Sequence, residues 1–287
     1  APRDKTRGRE YIPAIHPPLR RIVRKILATL AAASLVTLAA CSSSGSDKPA
    51  SSSKPCDAST TKIDPVNGGT LTVATALPAP GFWNGDDPGS ITGGFEDGMA
   101  KDIAKAAGLD KTKIVNVSFD ALVAGQSTAY DLALSQVTIT ADRAKVVSFS
   151  VPYFSSDQGI LATTGTKVTS LAEAKKLKWG VQGATTGQTY LDETIKPDQE
   201  ANVYQDTPSM FTALQAGQVE AVLLDTAIVL GQAAESDGAL AVVGQFKTGE
   251  NYGAILPKGS ANQCAVDNII KTMKSDGTLK QLNEEWL

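Results

Sequence analysis

YDLALSQVTITADRAKVVSFSVPYF, residues 130–154, decides the fold by the way it changes character along its length. Leu132-Ala133-Leu134 is a short apolar run, the pattern of a buried strand. The chain then turns polar at Ser135, Gln136 and Thr138. Thr140-Ala141-Asp142-Arg143 reads as the cap and first turn of a short helix. A strand that runs into a helix N-terminus leaves unpaired N–H groups in front of it, a setting that suits an anion. After Arg24, Arg143 is the only arginine; every later cation is a lysine. Arginine grips a carboxylate with two parallel N–H bonds, which lysine cannot do. Arg143 is therefore a candidate carboxylate binder, against the plainer reading of a surface ion pair.

Working outward, strands and helices alternate. Residues 70–75 alternate in polarity and read as the first strand. The loop after it carries Phe82 and Trp83, either a ligand wall or packing beneath the loop. A helix follows with Met99, Ile103, Ala106 and Ala107 on one face and Gly108 as its C′ residue. Residues 114–119 read as a strand ending at Phe119, with Asp120 capping a helix over 121–129. Beyond the quoted stretch, Ser170-Leu171-Ala172-Glu173 is a capping box opening a helix to Lys178. Trp179-Gly180-Val181-Gln182 is a strand, followed by a small-residue turn holding Thr185 and Thr186. A helix starts at Thr207-Pro208, with Met210, Phe211 and Leu214 inward and Pro208 well placed at its first turn. Residues 219–224 form a strand with Asp225 at its carboxyl end, residues 251–256 another. The helix over 265–274 turns Val266, Ile269, Ile270 and Met273 inward. The expected fold is α/β, with mostly parallel sheets in two lobes and a cleft between them. Ligands of open α/β sheets sit beyond the carboxyl ends of strands, where Arg143, Thr185, Thr186 and Asp225 all fall. A guanidinium facing a carboxylate complements a zwitterion, so an α-amino acid would bridge the lobes and favour closure. Asp225 also stands where a helix N-cap belongs, and both roles remain open.

Composition excludes several alternatives. The chain has 287 residues and a formal net charge of −3. Residues 42–287 carry 19 Lys/Arg against 28 Asp/Glu, and such an acidic body argues against nucleic-acid binding. The sole histidine is His16, so the body has no Ser-His-Asp triad and no histidine-ligated zinc. No metal or other cofactor is expected.

Near the start, Arg20-Arg21-Ile22-Val23-Arg24-Lys25 precedes a 15-residue apolar run over 26–40, right for a signal h-region and short for a membrane span. It ends in Leu38-Ala39-Ala40-Cys41, which resembles the bacterial lipobox, whose cysteine is lipidated; the alternative is an ordinary signal peptide that carries a cysteine. Residues 1–41 thus read as signal peptide, with acyl chains such as palmitate on Cys41. Several chains, at about 0.8 kcal/mol per buried CH₂, anchor stably where one does not. Residues 42–66 are rich in Ser, Lys, Pro, Thr and Asp and read as a flexible tether. Cys56 and Cys264 are then left outside the cytoplasm, where a disulfide is the default over two unpaired thiols. It would close a loop of roughly 200 residues, with roughly 5 kcal/mol as the ceiling on its stabilisation.

The body resembles the family 3 extracellular solute-binding proteins, the polar-amino-acid receptors of ABC importers. The likeness covers about residues 68–287. It rests on Gly94-Phe95-Glu96, Phe119-Asp120-Ala121-Leu122, Thr138-Ile139-Thr140-Ala141-Asp142-Arg143, Phe149-Ser150 and Pro152-Tyr153-Phe154. Gly180-Val181-Gln182-Gly183, residues 221–225, Tyr252-Gly253 and a tail ending at Trp286 continue it. The resemblance implies that Arg143 grips the ligand α-carboxylate, helped by Gln136 and Thr138 and, from the second lobe, by Thr185 and Thr186. It implies Asp225 for the α-ammonium and Phe119 for stacking on the ligand side chain; Gln182, Phe82 and Trp83 complete the candidate set. It implies a type II two-lobed fold: residues 67–153 with 253–287 as lobe 1, and 158–250 as lobe 2. It further implies a monomer on the outer face of the membrane, passing its ligand to an ABC permease. Many members carry an acid just after the first strand that reads a cationic or amide side chain; Ala76 stands there, which points to a neutral polar ligand such as glutamine. Glu96 and Asp86-Asp87 are the acids that would restore a cation preference by facing the pocket. Rival readings are a dehydratase on the same fold, or a sensing module for a signalling partner.

Overall fold

The computed structural model describes residues 14–15, 56–57 and 59–287. The chain separates into one unit of residues 1–17 and 57–287 and another of residues 18–56. The signal peptide, the lipobox with Cys41 and the tether up to residue 55 lie outside the described residues. In chain order the first elements are β1 (Ala14–Ile15), β2 (Thr70–Thr75), α1 (Phe95–Ala106), β3 (Lys111–Asn116), α2 (Phe119–Val123), β4 (Leu132–Ala133), α3 (Arg143–Val146) and β5 (Val147–Phe149). Then come β6 (Phe154–Thr163), α4 (Leu171–Ala174), β7 (Trp179–Gln182), and α5 (Thr186–Tyr190), which continues into a π-helical turn. β8 (Asn202–Tyr204), α6 (Thr207–Gln215), β9 (Ala221–Asp225) and α7 (Thr226–Glu235) follow. β10 (Leu240–Tyr252), β11 (Ile255–Pro257), α8 (Gln263–Ser275) and α9 (Thr278–Trp286) complete the chain.

Two sheets result, β3-β2-β4-β11-β5 and β1-β10-β6-β9-β7-β8. Both are mixed, where the alternation of elements suggests mostly parallel strands. The parallel part of each is the βαβ portion: β2 with β3 and β4, and β7 with β8 and β9. The antiparallel part comes from chain returning between the sheets: β11 against β4 and β5, and the long β6 against β9 and β10. β6 and β10 are the two crossings, paired with each other from Leu240↔Thr163 to Tyr252↔Phe154.

The first sheet buries α1 through Phe95, Met99, Ala100, Ile103 and Ala104. Ala106, expected on that face, is exposed; Phe95 removes more apolar area from water than an alanine and sets the helix rotation. Gly108 at φ 73 ends the helix as the sequence predicts. α2 starts one residue after Ser118, earlier than expected, and stops early at Val123 because Gly125 at φ 65 breaks it.

Phe82 and Trp83 do not form a ligand wall. Both are buried beneath their loop, with Phe82 edge-on to Phe95, Phe154 and Tyr252. Trp83 Nε1 donates to Glu96 Oε2 at 2.8 Å and to the Leu134 carbonyl at 3.1 Å. Glycine is required at Gly94, where a Cβ would lie 2.2 Å from the Phe82 carbonyl oxygen. Residues 59–66, read as the end of the tether, are held on the body instead. Ile63 is fully buried, Asp64 and Asn262 exchange two 2.9 Å hydrogen bonds, and Val66 N donates to Asp131 Oδ1. One isoleucine in a polar stretch is enough to seat it. Cys56 and Cys264 are both disulfide-bonded; in a chain of three cysteines this is one bridge joining them.

Candidate functional site

Arg143, Thr138, Gln136, Phe119, Gln182, Thr185, Thr186 and Asp225 line one cavity of about 410 Å³ between the two sheets. That lies within the roughly 300–1,000 Å³ of small-molecule sites. The loop 76–80 closes one side, and the exposed Asp206 and Glu235 stand on its lining. Glu96, Asp86 and Asp87 do not line it.

α3, which carries Arg143, is a single turn, and the Arg143 backbone N–H is taken by Thr140 Oγ1 at 3.2 Å. The guanidinium, not the helix end, is the anion-seeking group. Nη1 donates to the Thr138 carbonyl at 2.7 Å and Nη2 to the Ala184 carbonyl at 2.8 Å, so it reaches from one wall to the other. It also lies over the Phe119 ring, 5.4 Å from the centroid. Burial lowers its pKa, and the charges of Asp225 and Glu250 counter that; an arginine remains protonated.

Of the four non-glycine residues with left-handed backbone among the described residues, two adjoin the cavity, Gln136 at φ 50 and Ala184 at φ 62. Such conformations collect at functional sites. Each turns a backbone group to use: the Ala184 carbonyl accepts from Arg143, and Gln136 N donates to Glu96 Oε1 at 2.9 Å. Glu96 is fully buried and also accepts from Trp83 Nε1, Gln136 Nε2 and the Tyr153 hydroxyl. Burial raises its pKa, and these hydrogen bonds oppose the rise. Gln136 therefore lines the cavity while its N–H is committed beneath it.

From the other sheet, Thr185 caps α5. Its hydroxyl accepts from Gln188 N at 3.1 Å and donates to the Gln182 carbonyl at 2.7 Å, so its one proton is already committed. Asp225 ends β9 at the N-cap position of α7, yet its side chain makes no capping bond. Its Oδ1 accepts from Gln158 Nε2 at 2.6 Å, and the carboxyl is 6% exposed. Burial first and the charge of Glu250 second push its pKa well above its ordinary value, against the pull of Arg143.

Sequence reasoning misses Gln158 and Glu250. Glu250 Oε2 accepts from Thr138 Oγ1 at 3.3 Å, Thr186 Oγ1 at 3.1 Å and Gln158 Nε2 at 2.8 Å. For Gln158 there is a signal, a glutamine directly before the apolar run Gly159-Ile160-Leu161-Ala162. For Glu250 the signal is only the adjoining Thr248-Gly249. Among the described residues no cluster of His, Cys, Asp or Glu is arranged to hold a metal ion, and no helix is long and apolar enough to cross a membrane.

The profile of the bacterial extracellular solute-binding proteins, family 3, matches residues 71–287. The L-cystine-binding protein TcyJ of Escherichia coli K12 is 31% identical over 222 residues, covering 76% of this chain and 82% of that protein. The ABC transporter glutamine-binding protein GlnH of Bacillus subtilis 168 is 31% identical, covering 91% and 96%. The structure of an ancestral arginine-binding protein bound to glutamine superposes with a TM-score of 0.69 at 31% identity, covering 76% of this chain and 98% of that one. These relatives are amino-acid-binding proteins by name, one of them of an ABC transporter, and their two-lobed fold is that of the present body. The chain belongs to the bacterial extracellular solute-binding proteins, family 3.

Proposed function

We propose that this chain is a lipid-anchored extracellular receptor that binds a polar α-amino acid with a neutral side chain, glutamine foremost, and delivers it to an ABC permease. The observation that carries the reading is the pair Arg143 and Asp225 on one cavity, reached from opposite sheets. The guanidinium takes the α-carboxylate, and Asp225, free of capping duty, takes the α-ammonium. Phe119, held by Arg143, offers a ring to the ligand side chain. Two further points favour a neutral side chain: Ala76 lines the cavity in place of an acid, and Glu96 faces the core. Lobe 1 comprises residues 67–153 and 253–287 and lobe 2 residues 158–250, in a monomer held at the outer membrane face through Cys41.

The test is a thermal-shift series with each common amino acid. A ligand that binds only the folded state stabilises it by about 4 kcal/mol at a thousandfold excess over Kd. Glutamine or a similar neutral amino acid is expected to give the largest shift. A response to arginine or lysine alone overturns the neutral preference, and no response to any amino acid overturns the ligand class.

A further inference from the structure

β10 does not run straight. Between Phe246↔Gln158 and Glu250↔Ser156 it holds more residues than its partner, and the excess bulges outward. Asp157 Oδ1 fixes the bulge by accepting from Thr248 N and Gly249 N, each at 2.8 Å. The bulge re-aims Glu250, whose carboxylate enters between Thr138 of one wall and Thr186 of the other. There it meets Asp225. One nitrogen, Gln158 Nε2, donates to both carboxyls, which places their oxygens within two hydrogen-bond lengths of each other. Gln158 is itself 1% exposed, and its Oε1 is buried with no hydrogen-bond partner.

Two carboxyls this close, with Asp225 buried, do not both ionise readily. Arg143 on α3 attracts both. The buried Tyr252 hydroxyl interacts with Asp225, and Glu96 on α1 acts on that hydroxyl. One arginine therefore attracts two acids: Asp225, which lines the cavity, and Glu250, which reaches it from the neighbouring cavity beside β10.

We infer that Glu250 is a second acidic residue of the ammonium end of the site, and that with Asp225 it holds one shared proton which the ligand ammonium displaces on binding. The exchange balances: the amino acid enters as a zwitterion, its NH₃⁺ takes the place of one proton between the carboxyls, and that proton leaves to solvent. Of the two, Asp225 is the buried one, and it is pushed upward mainly by burial and then by the charge of Glu250.

This inference rests on the amino-acid receptor reading, and the experiment separates the two. Calorimetric titration of the full chain with glutamine, and with arginine, is run in two buffers of different ionisation enthalpy from pH 5 to 8.5. The expected result is saturable binding with release of up to one proton, and a Kd that tightens by as much as tenfold per pH unit where release is complete. Glu250→Gln, which keeps the shape, is expected to bind more weakly above neutral pH while at least halving both the proton release and the pH slope. Saturable binding with no proton release and a constant Kd overturns this inference alone. So does a Glu250→Gln variant with an unchanged pH slope. Absence of binding at every pH removes the receptor reading and this inference with it.

Discussion

Arg143 was legible as a candidate site residue because it is chemically singular in the body, and the structure puts its two terminal nitrogens on carbonyls of opposite walls. A lysine reaches one carbonyl or the other, and it offers no flat fork to a carboxylate. Arg143→Lys is expected to weaken amino-acid binding by about 2–5 kcal/mol, because a buried charged pair is left half made. Calorimetry on both proteins checks it, with far-UV circular dichroism confirming the fold. Unchanged affinity in a folded variant places the carboxylate site elsewhere. Other roles at this scale were invisible in sequence. Nothing in the spacing says that the Thr185 hydroxyl serves helix and strand end at once, or that Gln136 answers downward to Glu96. Those assignments depend on which lone pair is already occupied, and occupancy is settled by tertiary neighbours.

At the scale of elements, periodicity found what one segment determines by itself. β7 falls at its predicted residues, and α8 buries Val266, Ile269, Ile270 and Met273 as read. The Ser170 capping box is also present, with Glu173 N donating to Ser170 Oγ at 3.2 Å. The lobe bounds put the two crossings near Phe154 and Tyr252, but the long strands that make them, β6 and β10, escaped, although β10 is the longest strand among the described residues. Their outer parts alternate poorly and carry serine, asparagine and glycine, because at a crossing the two sides of a strand do not face one steady core and one steady solvent. The bulge before Glu250 is held by a single side chain, so it is open to test. Asp157→Ala removes the acceptor of two backbone N–H groups in a partly exposed loop. A loss of about 1–2 kcal/mol of stability is expected. Urea denaturation checks it, and an unchanged midpoint rules the staple out.

At the scale of the molecule, the Cys56–Cys264 bridge spans nearly the whole body without touching the cavity lining. Reduction is expected to lower stability by at most about 5 kcal/mol, the chain-entropy ceiling for so long a loop. The thermal response to the amino-acid ligand should survive. Melting curves with and without reductant, each with and without ligand, decide this; loss of the ligand response on reduction makes the bridge part of the binding apparatus. A different consequence follows from the two crossings. They are not separate strings: Tyr252 pairs with Phe154 along the ladder, and their rings stack 5.3 Å apart at 17°. Separate linkers would leave one lobe free to slide, twist and swing against the other. A hydrogen-bonded ribbon bends across its face and resists shear along its register, which reduces the relative motion to few degrees of freedom. Closure then sacrifices little conformational entropy, and more of the contact free energy at the ligand survives as affinity.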